Sequence, residues 1–347
     1  MITRRRTLML LGSTGALAIA PRRRLYAAET DEVVIGSPAT ISDAPFFIAE
    51  RKGYWAEQNL HMKIVNMQTG PQMVAPLGAG QIDIAAAATS AGLFNAAARG
   101  IGLKMVADKG SNQPGYSYVS LLVRKALVDS GKFKTMKDLK GLKVAEPGKG
   151  GSTGSTVNQA LKSAGLTYDD VTHVILGFPE MLIGMENGAI DAAIVPEPFN
   201  TFGRNKGVGV RFPSDTFYPR QTIAVVLYGP AFMAKRAEIA QRFMVAYLKA
   251  VRFYNGAIKG GHFAGPNAAE LIDILTTETR YKDAALYRDV VPNGCDPDGK
   301  LDLPSIETDL AFWREQKYVE DMISATDVLD ESYVTAALKV LGPYHAM

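Results

Sequence analysis

The spacing of apolar residues changes period repeatedly along this chain, from short apolar runs to the i, i+3, i+4 recurrence of a helix face. Residues 32–36 read as a strand. Phe46, Phe47, Ile48 and Ala49 open a helix that closes at Lys52-Gly53-Tyr54-Trp55, and residues 62–67 read as the next strand. Strand, helix and strand within roughly 35 residues make a βαβ unit. A helix over 71–79, the turn Gly78-Ala79-Gly80, a strand over 82–87, a helix after Gly92 and a strand over 103–107 continue the alternation, ahead of a polar segment at 109–116. This pattern predicts an α/β fold with largely parallel sheet covered on both faces. Past Pro230 the chain turns helical: residues 235–257 carry Ile239, Phe243, Ala246, Tyr247, Ala250 and Val251 on one face, and 268–276, 305–315 and 331–341 repeat that period.

The plan occurs twice. Leu77-Gly78-Ala79-Gly80-Gln81-Ile82-Asp83-Ile84-Ala85 is echoed by Met185-Glu186-Asn187-Gly188-Ala189-Ile190-Asp191-Ala192-Ala193: a helix end, a glycine cap, an Ile-Asp pair and a small-residue strand. The apolar runs 118–124 and 222–228 read as two strands crossing between lobes. They divide the chain into lobe one, 29–123 with 221–347, and an inserted lobe two, 124–220.

Lobe two opens on KVAEPGKGGSTGSTVNQ, residues 143–159, where a short strand breaks at Pro147, passes through Gly148, Gly150, Gly151 and Gly154, and enters a Ser/Thr-rich helix over 157–164. Such a turn presents backbone N–H groups at the positive end of a helix dipole, so it suits an anion without a dedicated charged side chain. It also suits a turn whose glycines merely relieve strain. Gly148-Lys149 is followed by Gly150 where a phosphate loop needs Ser or Thr, and Thr153 stands where the dinucleotide fingerprint needs glycine, so nucleotide chemistry is not indicated.

Charge changes the picture at one end only. The 347 residues carry 38 basic and 35 acidic side chains, and six of the arginines (Arg4, Arg5, Arg6, Arg22, Arg23, Arg24) fall in residues 1–28, which have no acid; the remainder balances 32 against 35. A nucleic-acid footprint is therefore not supported. Arg5-Arg6-Thr7-Leu8-Met9 matches a twin-arginine export signal, and the apolar stretch 8–20 is too short to span a bilayer of about 30 Å. A signal over 1–28 and a periplasmic location follow as expectations. One cysteine, Cys295, permits no intramolecular disulfide or thiolate cluster, and His61, His173, His262 and His345 lack ligand spacing, so no metal or cofactor is expected.

Together, the exported leader, Pro45-Phe46-Phe47-Ile48-Ala49, Gly53-Tyr54-Trp55, Gly80-Gln81-Ile82-Asp83, Leu139-Lys140-Gly141-Leu142-Lys143-Val144-Ala145, Gly188-Ala189-Ile190-Asp191 and Glu197-Pro198 resemble periplasmic solute-binding proteins of ABC importers, in the subgroup of nitrate, taurine or alkanesulfonate and thiamine-precursor (NMT1/THI5-like) binders. The resemblance spans about residues 32–260. It implies a two-lobed periplasmic-binding-protein type II fold with two crossover strands, a monomer that closes on a small molecule and meets a permease and ATPase, and no enzymatic activity. By position it implies a cleft lined by Thr40, Ser42, Asp43, Pro45 and Phe46, by Thr89 and Ser90, and from lobe two by Ser152, Thr153, Gly154, Glu197 and Phe199. Glu197 alternatively forms a lobe-stabilising salt bridge, and Phe46 alternatively packs beneath its own helix. Phe94, Tyr116 and Phe178 are further aromatic candidates. Three charge-assisted hydrogen bonds yield about 5–9 kcal/mol gross, whereas a micromolar dissociation constant needs about 8 kcal/mol net, so both lobes must contribute. A small organic anion is the expected ligand; a pyrimidine binder or a pyrimidine-synthesis enzyme of the same fold is the alternative.

Overall fold

The structure is a computed structural model that describes residues 30–38, 40–67, 69–319 and 323–345; the expected export signal lies outside these. In chain order the main strands are β1 (Asp31–Ser37), β2 (Leu60–Asn66), β3 (Ile84–Ala88), β4 (Lys104–Asn112), β5 (Val119–Arg124), β6 (Lys143–Glu146), β7 (Thr172–Ile175), β8 (Ala192–Pro196), β9 (Gly209–Pro213) and β10 (Gln221–Tyr228). They form two five-stranded sheets, ordered β2-β1-β3-β10-β4 and β7-β6-β8-β5-β9. In each sheet three parallel strands are followed by one antiparallel strand paired on both sides.

The Ile-Asp echo has a structural meaning. Asp83 accepts from the amide of Val34 on β1 at 2.9 Å and from Arg236 at 3.0 Å; Asp191 accepts from the amide of Lys143 on β6 at 3.1 Å and from Arg124 at 2.7 Å. Each aspartate thus fastens the entry of the neighbouring parallel strand and neutralises itself on an arginine. The glycine before each pair, Gly80 and Gly188, takes the positive φ that ends the preceding helix.

Two expectations change. The runs 118–124 and 222–228 do not cross between sheets: β5 lies wholly in the second sheet between β8 and β9, and β10 wholly in the first between β3 and β4. Both are apolar because they are inner strands with sheet on either side. The chain instead crosses through 113–118 and 214–220, so the expected boundary at residue 124 moves back to the first of these. The strand expected over 103–107 also runs on into the polar segment. Asp108, Lys109, Ser111 and Asn112 continue β4 and are buried, each polar side chain having a specific partner.

The helix Ala237–Asn255 packs its apolar stripe under the first sheet, with Phe243 against Trp55 at 5.1 Å between ring centroids. Phe46 lies 5.6 Å from Tyr247 in the same layer, and Phe94 packs on Trp313 at 5.6 Å. Among the described residues no helix is long and apolar enough to cross a membrane.

Candidate functional site

The carboxyl ends of the parallel strands from both sheets converge on one cavity, a space of about 620 Å³ with open solvent included. The loop after β1 brings Pro38, Thr40 and Ser42; the segment after β2 brings Thr69 and Gly70; the turn after β6 brings Pro147, Gly148, Gly151 and Thr153; and Phe178 follows β7. The start of the helix Gly70–Gly78 and the start of the helix Ser152–Ser163 both face this space.

One residue that sequence reasoning missed dominates the chemistry. Lys109, on β4, is 1% exposed, lines the cavity, and places its ammonium 2.8 Å from Asp43 Oδ1 and 2.8 Å from Ser42 Oγ. The glycine turn thus shares the cavity with a charged side chain from the other lobe. Asp43 stands behind the wall and is fully engaged: its Oδ2 accepts from Ser37 Oγ and from the Thr40 amide, each at 2.8 Å. Ser42 accepts from the lysine, which frees its own proton for Thr40 Oγ1 at 3.0 Å. Lys109, Ser42 and Thr40 thus form a hydrogen-bonded row along the cavity wall. Tyr118 adds a hydroxyl at this wall, and burial holds that phenol well above its ordinary pKa, so it stays protonated.

The glycine turn divides its work. Ser152 N–H donates to Thr89 O at 3.0 Å, Ala91 N–H donates to Gly150 O at 2.8 Å, and Ser152 Oγ–H donates to Ile223 O at 3.3 Å. These bonds fasten the turn to the first sheet. Gly150 sits at φ +73°, and a Cβ there would lie 3.1 Å from Ala91 Cβ, so the close approach needs glycine. Of the first-turn amides, Ser152's goes to Thr89 and Gly154's to Gly151 O, which leaves Thr153's without a partner among the described residues. Thr153 is thus the residue of the turn that lines the cavity and keeps an unpartnered amide among the described residues.

Of the expected site residues, Thr40, Ser42 and Thr153 line the cavity and Asp43 supports it from behind. Thr89, Ser90 and Ser152 form the seam between the sheets; Ser90 also caps the helix Ala91–Ala98 through Leu93 N. Gly154 turns away, where a Cβ would meet Glu146 Oε2 at 2.6 Å. Glu197 is buried and accepts from Thr201 N at 3.0 Å and Val291 N at 3.4 Å, a bridge between lobes through backbone amides; burial raises its pKa. Pro45 and Phe46 belong to the core. Phe199 packs tilted beside Phe178 at 5.4 Å between ring centroids, and only Phe178 of that pair reaches the inner cavity. Tyr116 lies on the first crossover against Gly261.

Two α/β lobes built on one plan, joined by two crossings and enclosing a donor-lined cavity at their carboxyl edges, define the type II periplasmic-binding-protein fold. The NMT1/THI5-like family model matches residues 41–255, and the chain belongs to that family. It is 26% identical over 314 residues to a Bacillus subtilis protein named as an aliphatic sulfonates-binding protein, covering 89% of this chain and 88% of that one. It is also 29% identical over 161 residues to the 4-amino-5-hydroxymethyl-2-methylpyrimidine phosphate synthase of Aspergillus parasiticus, covering 45% of this chain and 42% of the enzyme. Among solved structures, the periplasmic nitrate-binding protein NrtA of Synechocystis PCC 6803 superposes with a TM-score of 0.71 at 16% identity over 90% of each chain. The alkanesulfonate-binding protein SsuA of Xanthomonas axonopodis pv. citri, bound to MOPS, superposes at 0.65 and 18% identity over 87% of this chain and 99% of that one.

Proposed function

We propose that this chain is an exported, monomeric solute-binding protein that captures a small organic anion by closure of its two lobes, residues 30–112 with 221–345 and residues 119–213, and delivers it to an ABC permease and ATPase. One observation carries the reading: the charged side chain lining the cavity is the Lys109 ammonium, set among hydroxyls, while the carboxylate behind it, Asp43, is engaged by Ser37, Thr40 and Lys109. This wall suits a ligand that brings acceptors, and its apolar remainder, including Ala86, Ala88, Pro147 and Phe178, suits a carbon skeleton attached to them. The periplasmic destination and the twin-arginine route through Arg5 and Arg6 complete the proposal.

A panel of taurine, alkanesulfonates, nitrate, aromatic carboxylates and pyrimidines tests it by thermal shift and calorimetry. At one hundred times the dissociation constant a binder adds about 2.7 kcal/mol of stability, a readily measured shift. Lys109→Met alone strands Asp43 as a buried charge, at a cost of about 3–5 kcal/mol, so the informative variant is Lys109→Met with Asp43→Asn. That double variant is expected to fold and to bind the active anion at least tenfold more weakly; wild-type affinity in it would reject the donor site.

The pyrimidine-synthesis reading rests on the match to the Aspergillus enzyme, which covers less than half of either chain. The single cysteine does not serve it. Cys295 is buried, its thiol donating to Asp108 O at 3.5 Å, and burial pushes its pKa well up. Native mass spectrometry of the purified protein decides between the two, because a retained pyrimidine would show its mass.

A further inference from the structure

Residues 279–283 connect the helix Ala268–Glu278 to the helix Ala284–Asp289 and reach across the mouth of the cavity. Tyr281 packs on Phe202 of the helix Phe199–Asn205 in the second lobe, with ring centroids 5.1 Å apart. This contact anchors the strap on the far side of the cleft. Arg280, beside it, borders an outer space of about 460 Å³, open solvent included, that shares Pro38, Thr69, Pro147 and Phe178 with the inner cavity. The two spaces therefore adjoin across these four residues, with Lys109 lining the inner one and Arg280 the outer one.

Arg280 contacts the Tyr281 side chain but, among the described residues, is not neutralised by an acid: no carboxylate lies within ion-pair distance of its guanidinium. The adjacent Glu278 pairs with Arg51 at 3.2 Å, and Asp283 caps the next helix through Ala285 N at 2.8 Å. Its nearest aromatic neighbour is Tyr281, whose ring centroid lies 4.8 Å from Arg280 Cζ. A guanidinium presents a rigid fork that matches a carboxylate or sulfonate in bidentate fashion, and at the rim of a cleft it is less screened than on an open surface.

We propose that Arg280 is the outer ligand contact and selects a dianion: an organic acid whose first anionic group meets Lys109, Thr40 and Thr153 and whose second, at the other end of its carbon skeleton, meets Arg280. The inference rests on the anion-binding reading above and names its substrate class more closely. Calorimetry on the full chain with two matched pairs, benzoate against terephthalate and propane-1-sulfonate against 3-sulfopropanoate, tests it. In at least one pair the dianion is expected to bind about tenfold more tightly or better. Arg280→Gln, an exposed position whose change does not threaten the fold, is expected to bring that ratio to within about twofold of one while the monoanion's affinity stays within about twofold of wild type. Monoanions that bind while dianions bind no better, or a dianion preference that survives Arg280→Gln, would overturn the outer contact and leave the anion site standing. Failure of all four probes while another anion of the wider panel binds would overturn the outer contact alone, and failure of every anion would remove both.

Discussion

Ser152 and Thr153 are neighbours in sequence with separate duties. Ser152 spends its amide and hydroxyl on Thr89 and Ile223 of the first sheet, whereas Thr153 keeps its amide free and lines the cavity. Thr153→Ala keeps that amide and removes the cavity-lining hydroxyl, so it is expected to weaken ligand binding about five- to tenfold, the value of one lost side-chain hydrogen bond of roughly 1–1.5 kcal/mol, with little change in the stability of the ligand-free protein. Ser152→Ala is expected to do the reverse, lowering the ligand-free melting temperature. Parallel calorimetry and thermal denaturation check the pair, and equal effects on both measurements would erase the division. The sequence located this turn and its hydroxyls, since glycines beside a short strand are local signals. It did not reveal Lys109, because a lysine among Asp108, Gly110, Ser111 and Asn112 looks like loop composition until Asp43, far away in sequence, is folded against it.

At the scale of elements, the doubled Ile-Asp plan was legible because its parts are local: a glycine with positive φ, then an aspartate one strand away from its partners. The crossings were not, because an inner strand and a connecting strand are equally apolar and only pairing separates them. The second crossing also packs against a buried acid. Asp309, on the helix Leu303–Glu315, accepts from Tyr218 OH at 2.9 Å and from Gln221 Nε2 at 3.2 Å. Gln221 in turn donates to Ser152 O at 3.0 Å and accepts from Thr156 at 2.7 Å, so this acid sits where the crossing, the first sheet and the glycine-turn helix meet. Burial raises its pKa from 3.8 to about 7. A raised carboxyl pKa means that the folded state holds the proton more tightly than the unfolded chain, so the stability linked to it is present at low pH and is lost as pH rises from about 4 to 7. Asp108, raised to about 7 chiefly by burial, adds a slope of the same sign. Denaturant titrations from pH 4 to 8 are expected to show falling stability, with a shallower fall in Asp309→Asn; an unchanged slope in that variant would assign the effect elsewhere.

Over the whole molecule, the two lobes meet along a short backbone seam, Thr89 to Ala91 against Gly150 to Ser152, with Glu197 and Ile41 joined at 3.3 Å on the neighbouring side. The amides in that seam report closure directly. Hydrogen exchange is expected to slow on ligand addition in peptides covering 86–94 and 147–157, while peptides within β1 and β6 change little. Uniform protection across all four would point to global stabilisation in place of closure. The same seam explains why the glycine turn is so poor in side chains: it must approach another backbone as well as a ligand.

The pairing of Lys109 with Asp43 has a consequence for the medium in which such a protein works. The inner site holds one positive and one negative charge, both shielded from water, so its attraction for an anion comes from short-range donors and carries no net field beyond the cavity. Dissolved salt would then weaken capture very little at the floor of the cleft, and only the exposed arginine at its mouth would be sensitive to it. A cell in brine and one in fresh water would find the inner grip nearly the same.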